Sequence, residues 1–91
     1  NNFIPETYTL SSFPNPFNPI TTISFSIPEF GLTTVRAYDL TGKEIGTLTH
    51  TNLNPGMYNI DWNASSYPSG VYLLRMDSKG FTKTQKVVLI K

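Results

Sequence analysis

Seven residues near the start of the chain, 13–19 (FPNPFNP), restrict the backbone more than any other segment. They hold three of the seven prolines and two of the six phenylalanines. Proline fixes φ and has no backbone donor, so this segment can form neither a helix nor a central strand. Asn15 and Asn18 each precede a proline, which favours turns. We predict a stiff bend that holds the fold in one register and offers two aromatic rings to apolar pockets.

The remainder of the chain has the pattern of short β-strands. Apolar and polar residues alternate strictly in residues 21–27, and Tyr58, Ile60 and Trp62 alternate with polar neighbours in the same way. No segment has a sustained helical period. Further strands are predicted at residues 33–40, 43–49, 71–77 and 81–91.

Glycine and proline mark the turns between these strands. Residues 41–42 are predicted to form a hairpin turn, and residues 54–56 (NPG) have the proline and glycine positions of a type II turn. Gly46, inside a predicted strand, indicates a bulge or a close backbone approach. About seven antiparallel strands with such turns predict an all-β chain, a single immunoglobulin-like β-sandwich without a disulfide. Its core is predicted to contain Phe25, Ile60, Trp62 and Tyr72.

Length and residue types limit the domain organisation. Ninety-one residues make one domain at most, which we place at residues 7–91. Residues 1–6 lack periodicity and are predicted to be the linker tail of a larger parent protein. No basic and apolar leader begins the chain, and no apolar run approaches the roughly 20 residues of a membrane helix. The absence of cysteine excludes disulfides, thiolate metal sites and thiol nucleophiles.

Side chains with catalytic or metal-binding chemistry are few and scattered. His50 is the only histidine, so a histidine cluster cannot form, and it is predicted to be a solvated side chain at a strand end. Asp39 and Asp77 precede turns, where carboxylates accept backbone hydrogen bonds. We predict no catalytic residue, no metal site and no cofactor, with a weak calcium site among loop oxygens left open. A net charge of +1 argues against nucleic-acid binding.

Charge and apolar residues are concentrated at the end of the chain. Residues 1–77 carry a net charge of −3 and residues 78–91 a net charge of +4. The last predicted strand is apolar on both faces, so it is either central and covered twice, or one face or its edge waits for a partner. We predict that its lysines steer an encounter with a negative surface and that its apolar residues anchor it. The predicted partner contacts are Lys83, Lys86, Val87, Val88, Leu89, Ile90 and Lys91.

Alternative interpretations stay open for this region and for the aromatic residues. The lysines are also typical of residues that guard a sheet edge, and an unguarded edge would allow a dimer through the terminal strand. Tyr58, Trp62, Tyr67 and Tyr72 could form a carbohydrate-stacking platform, although the alternation of Tyr58 and Trp62 with polar residues favours the core. A structural spacer that stabilises a neighbouring catalytic domain is a third interpretation.

Four motifs, in order, resemble the C-terminal sorting domain of cargo proteins exported by the type IX (Por) secretion system of Bacteroidetes. Residues 13–19 with the following TTI resemble the family's opening signature, and residues 35–45 (VRAYDLTGKEI) resemble its central hairpin. Residues 68–76 (PSGVYLLRM) resemble its proline-serine-glycine-apolar-tyrosine strand, and residues 83–91 its basic, apolar terminal strand. The motif residues expected to be structural are Pro14, Asn15, Pro16, Phe17, Asn18, Pro19, Gly42, Gly70 and Tyr72.

The resemblance implies a sorting signal rather than an enzyme. Such a domain directs an attached passenger through the outer membrane, after which it is cleaved off by a sortase-like peptidase or the passenger is anchored at the surface. The implied partners are the outer-membrane secretion machinery, that peptidase and the passenger domain. The implied location is secreted or cell-surface, reached through the periplasm, with cleavage in or before residues 1–7.

Overall fold

Seven strands make up the regular secondary structure of residues 4–91, the part of the chain that the computed structural model describes. They are β1 (Thr9–Phe13), β2 (Ile20–Ile27), β3 (Gly31–Tyr38), β4 (Glu44–Leu53), β5 (Gly56–Asn63), β6 (Gly70–Ser78) and β7 (Phe81–Leu89). Residues 1–3 of the predicted linker lie outside the described residues, and the domain boundary at residue 7 stays a prediction.

The strands form two antiparallel sheets, with the orders β1-β2-β5 and β4-β3-β6-β7. This arrangement confirms the predicted all-β, seven-stranded sandwich. In a seven-stranded immunoglobulin constant domain the fourth strand pairs with the fifth. Here β4 pairs with β3 instead, so that the second sheet gains a strand and the first sheet has only three.

The core lies between the two sheets, where alternate residues of each strand point inward. Phe25, Trp62 and Tyr72 are buried as predicted, and Ile60 packs against them as a half-buried side chain. The Trp62 ring meets the Tyr72 ring edge-on, with their centroids 6.0 Å apart. Such aromatic pairs add stabilisation beyond the area that they bury.

The structure moves several predicted strand boundaries. β3 ends at Tyr38 rather than residue 40, and β4 continues to Leu53 rather than ending at residue 49. The added part of β4 is polar except for Leu53, yet its backbone pairs with β3 as far as Gly31. His50 therefore lies within β4, opposite Thr34, and the prediction of a strand-end position is wrong.

The irregularity predicted at Gly46 is present as two bulges. The β3–β4 register shifts between Val35 and Arg36 and again between Ala37 and Tyr38. No atom outside the adjoining residues lies within 4 Å of where a Cβ on Gly46 would stand, so no other backbone approaches Gly46 on its side-chain side. The bulges bend an edge strand, which is how many proteins keep such edges from pairing with other chains.

The type II turn predicted at residues 54–56 is wrong. That turn needs a positive φ at its glycine, and among the described glycines the positive values belong to Gly42, Gly70 and Gly80. Gly56 instead begins β5, so residues 54–56 carry the chain from one sheet to the other rather than closing a hairpin.

The hairpin between β6 and β7 decides how the last strand is oriented. Ser78 pairs with Phe81 across Lys79 and Gly80, whose φ angles of 50° and 80° fit a type I′ turn. β7 lies at the edge of the four-stranded sheet, so the alternative that it is central and covered twice is wrong. Within residues 4–91 there is no helix of the length and hydropathy needed to cross a bilayer.

Candidate functional site

The proline segment, residues 13–19, reaches from the first sheet to the outer edge of β7 in the second. The Phe17 N–H donates to the Val88 carbonyl at 2.9 Å, and the Ile90 N–H donates to the Phe17 carbonyl at 2.9 Å. This pairing is parallel and centred on Leu89. The stiff bend predicted from the prolines therefore joins the two sheets and covers part of an exposed edge.

Asn15 extends this pairing with its side chain. Its amide nitrogen donates to the Lys86 carbonyl at 2.9 Å, and its amide oxygen accepts from the Val88 N–H at 3.0 Å. The side chain thus does what a backbone peptide group does in a β-ladder, at a place where Pro14 and Pro16 have no N–H to offer.

The two aromatic rings of the proline segment have different environments. Phe17 is only 2% exposed and its ring centroid lies 5.6 Å from that of Trp62. Phe13 is 80% exposed on the outer face of the first sheet. Of the two rings expected to fill apolar pockets, only Phe17 does so within the described structure.

The other proline-segment residues close the bend. The hydroxyl of Thr21 donates to the Pro14 carbonyl at 2.8 Å, and the Ala64 N–H donates to the Pro19 carbonyl at 2.9 Å. Pro16 and Asn18 are exposed. These bonds tie the segment to β2 and to the end of β5, so it is held at both its ends and at Phe17.

The motif at residues 68–76 forms the turn into β6. Gly70 begins the strand opposite Leu89, and the Tyr72 hydroxyl donates to the Pro68 carbonyl at 2.6 Å. A tyrosine that bonds back to the backbone at this corner recurs in immunoglobulin-like domains. Tyr72 is buried, so its contribution within the described structure is to fix this corner.

The central hairpin motif is built around Asp39. One carboxylate oxygen accepts from the Thr41 N–H at 2.9 Å, the Thr41 hydroxyl at 2.6 Å and the Lys43 N–H at 3.0 Å. The hydroxyl of Thr41 is the main cause that lowers the pKa of Asp39 below its ordinary value, followed by the backbone bond from Lys43. Gly42 completes the turn with a φ of 89°, which a side chain would disfavour.

The terminal lysines do not form one patch. Lys83 and Lys86 are both exposed, but strand alternation directs them to opposite faces of β7. Lys91 donates from its ammonium group to the Ser65 carbonyl at 2.6 Å and from its backbone to the Ser69 hydroxyl at 3.0 Å. Among residues 4–91 the two ion pairs are Arg36–Glu44 and Arg75–Asp77, and neither includes these lysines.

The four apolar residues of the terminal strand divide between core and surface. Val87 is 0% and Leu89 1% exposed, so in the folded domain a partner cannot reach their side chains. Val88 is half-buried and Ile90 is exposed on the outer face, and Val88 lies opposite the half-buried Val71 of β6. The outer face thus carries apolar side chains next to Lys86.

The acidic side chains and the histidine form no cluster of three or more within residues 4–91. Asp61 accepts from Thr22, and Asp77 accepts from the Thr82 hydroxyl. His50 is exposed on β4. No three such residues in the described part of the chain are placed to hold a metal ion. Trp62 is buried, so it is not available to a carbohydrate on the surface.

Sequence reasoning found the motif residues but missed what Asn15 contacts. Asn15 and the Lys86 carbonyl are 71 residues apart, and no local pattern connects them. The sequence also indicated a free edge on the last strand, but it did not show which backbone groups of that edge are free. The type I′ turn at residues 79–80 is the signal that could have assigned them, because it fixes which residues bond to β6.

Comparison with known families gives a match over most of the chain. The family described as "Secretion system C-terminal sorting domain" matches residues 11–91. No curated protein shows significant similarity to the chain. The matched residues include the whole proline segment, the central hairpin, the corner at Tyr72 and the terminal strand.

Proposed function

This chain belongs to the family of secretion-system C-terminal sorting domains, and we propose that β7 is where it meets the export machinery. Domains of this family act as sorting signals of type IX secretion, and the proteins that carry them are secreted or attached at the cell surface via the outer membrane. The family is not a catalytic one. Its role implies a passenger protein and a secretion machinery as partners.

The exposed cations of β7 carry this proposal. Lys83 and Lys86 lie on an edge strand and take part in neither ion pair of the described residues. Their positive charge can therefore raise the rate at which the domain associates with an acidic partner surface. Val88 and Ile90 on the outer face are the apolar residues that a partner can reach, while Val87 and Leu89 hold the strand in the core.

The experiment compares export of a passenger fused in front of the chain. We expect Lys83→Ser with Lys86→Ser to lower export about tenfold, the lower end of what charge steering contributes to association. Lys43→Ser with Lys79→Ser is the matched control, since it removes the same charge at two hairpin turns. Normal export of the first variant, with an unchanged unfolding transition, would contradict the proposal.

Lys91 needs a separate variant because it is bonded to the loop before β6. Lys91→Ser keeps the backbone bond to Ser69 and removes the bond to the Ser65 carbonyl. If Lys91 contributes to recognition, its export defect will exceed what its change in melting temperature explains.

Processing after export is the finer part of the proposal. A sortase-like peptidase cleaves in or before residues 1–7, or the passenger is anchored at the surface. Thr7 is exposed, and its carbonyl accepts from the Ser26 hydroxyl at 3.0 Å, so the fold begins close to the expected cut. Mass spectrometry of the exported passenger tests this: a passenger that ends beyond residue 7 would contradict it.

A further inference from the structure

We propose that the uncovered part of the β7 edge, residues 82–86, binds an extended acidic segment of a partner protein as an added β-strand. The inference rests on the proposed function, since it names the kind of partner that meets β7. It concerns backbone groups rather than the lysine side chains, so the two can be tested apart.

The register of the β6–β7 hairpin identifies the free backbone groups. Ser78 and Phe81 flank a two-residue turn, and in such hairpins the flanking pair is hydrogen-bonded. Every second residue from Phe81 therefore bonds to β6, and those between point outward. The N–H and the carbonyl of Val88 bond to Asn15 and Phe17 rather than to β6, which agrees with this alternation. The outward-pointing residues of the uncovered part are Thr82, Thr84 and Lys86.

Most of these outward groups have no backbone partner in the described structure. The ladders of residues 4–91 pair β7 with β6 alone, and the bridge at Phe17 reaches only its last residues. Asn15 takes the Lys86 carbonyl, which leaves the N–H groups of Thr82, Thr84 and Lys86 and two carbonyls. Thr82, Thr84 and Lys86 are exposed residues, and β1 of the first sheet comes close to β7 without pairing with it.

Other side chains occupy the β7 edge at both ends of the uncovered stretch. At one end Phe81 stacks on Tyr8 with ring centroids 4.5 Å apart, next to the β6–β7 turn. At the other end Asn15 occupies the edge at Lys86 and Val88. The stretch between them, residues 82–86, has the length of a usual strand. An added strand gains affinity from main-chain bonds and specificity from alternate side chains.

The charge of the region selects an acidic segment as the occupant. Lys83 and Lys86 flank the free edge and residues 78–91 contain no acid. The nearest carboxylate along the sheet, Asp77, already binds Arg75 and the Thr82 hydroxyl. A second copy of the chain would bring these lysines against their own equivalents, and like charges on paired strands are destabilising.

Thr84→Pro tests the proposal because it removes an outward N–H and keeps the bonds to β6. Proline is tolerated on edge strands where the N–H faces away from the sheet. Thr84→Ala is the matched control, since it removes the same side chain and keeps the N–H. We expect passenger export to fall about tenfold with proline, the effect of one lost backbone bond, and to stay normal with alanine. Equal export by the two variants would overturn the proposal.

Hydrogen exchange of the unmodified chain gives a second measurement that does not depend on the variant folding. The probe is a capped peptide of alternating glutamate and valine, Glu-Val-Glu-Val-Glu, with Lys-Val-Lys-Val-Lys as its control. We expect the acidic peptide to slow exchange at the Thr82, Thr84 and Lys86 amides and the basic peptide to leave it unchanged. No protection by the acidic peptide, or protection by dimerisation of the chain alone, overturns the proposal.

These outcomes are distinct from failure of the proposed function. If export continues without residues 81–91, β7 is not the recognition element and both proposals fail. If Lys83→Ser with Lys86→Ser lowers export in a folded domain and Thr84→Pro exports normally, β7 remains the recognition element and only strand addition is wrong.

Discussion

Asn15, Asp39 and Tyr72 have one property in common: each uses its side chain to satisfy backbone groups of a turn or an edge. Buried or constrained backbone groups must be paired, and a side chain that pairs them fixes the local conformation. Each of the three belongs to a different motif of the sorting-domain resemblance. At the residue scale, the motifs are therefore explained by the fold itself.

Asp39 gives a prediction that depends on pH. Its pKa is lowered in the folded state, so the carboxylate contributes stability that is complete above its ordinary value of 3.8 and is lost as pH falls through the lower folded value. Asp39→Asn should lower the melting temperature by a few degrees at pH 7. The difference from the unmodified chain should shrink in strongly acidic solution.

Calorimetric melting from neutral to acidic pH measures that difference. Asp61→Asn is the control, because Asp61 is exposed and accepts from the Thr22 hydroxyl. A gap between Asp39→Asn and the unmodified chain that stays constant down to the lowest pH would show that the ionised carboxylate is not its cause.

Local bonds at this scale could be anticipated from sequence, and distant ones could not. Asp39 and Thr41 are two residues apart, and an aspartate before a turn is expected to bond to the following N–H groups. The bonds of Asn15 depend on how the whole sandwich brings residue 86 to residue 15, which no local preference specifies.

Among the elements, β7 combines a covered and an uncovered stretch of one edge. Free strand edges invite pairing with other chains, and proteins limit that with charge, with proline or with a covering segment. This strand has lysines along its free part, and the proline segment covers its end. The lysines lie where the sequence-based alternative expects them, on a strand edge that they keep from pairing with other chains. The same placement is compatible with recognition by a partner.

Asn15→Ala should uncover the end of β7. It removes two bonds to the edge, one from the Val88 N–H and one to the Lys86 carbonyl. We expect exchange of the Val88 amide to become faster and the free energy of unfolding to fall by about 1–2 kcal/mol. Native-state hydrogen exchange and urea unfolding measure the two effects.

Asn18→Ala provides the comparison for that variant, since Asn18 also precedes a proline and is exposed. It should leave the Val88 amide unchanged. If both variants speed exchange equally, the effect comes from the flexibility of the proline segment rather than from the Asn15 amide.

Element boundaries were predicted well where one face of a strand is apolar. β2 and β6 alternate clearly and lie within one residue of the prediction at each end. The second half of β4 is polar except for Leu53, so its strand character comes mainly from pairing with β3. Tertiary pairing of this kind overrides local preference and leaves no periodic signal.

For the whole molecule, the contact between Phe17 and Trp62 matters most, because it brings the proline segment into the common core. Phe17→Ala should lower the free energy of unfolding by about 3–5 kcal/mol. That is a large share of the roughly 5–15 kcal/mol of a small domain. Urea unfolding followed by the fluorescence of Trp62, the only tryptophan, measures the loss.

Phe13→Ala is the control within the same segment. Phe13 is 80% exposed, so its removal should change stability by no more than about 0.5 kcal/mol. Similar losses for the two variants would contradict the assignment of Phe17 alone to the core.

The class and strand count of the fold followed from alternation, turns and the absence of cysteine. Which strand lies at an edge did not, because the apolar residues of the terminal strand fit a central strand as well as an edge strand covered by another segment. Val87 and Leu89 face the core, while Val88 and Ile90 lie beside the proline segment and the outer surface. That division appears only once both sheets are assembled.

The pairing of Phe17 with Leu89 also has a consequence for protein synthesis. Ribosomes build the proline segment before β7, so its backbone partners exist only once translation has passed Ile90. A nascent polypeptide released before that point lacks both the bridge and the strand it closes. Sorting that depends on the finished sandwich would then discriminate against products that stop before Ile90.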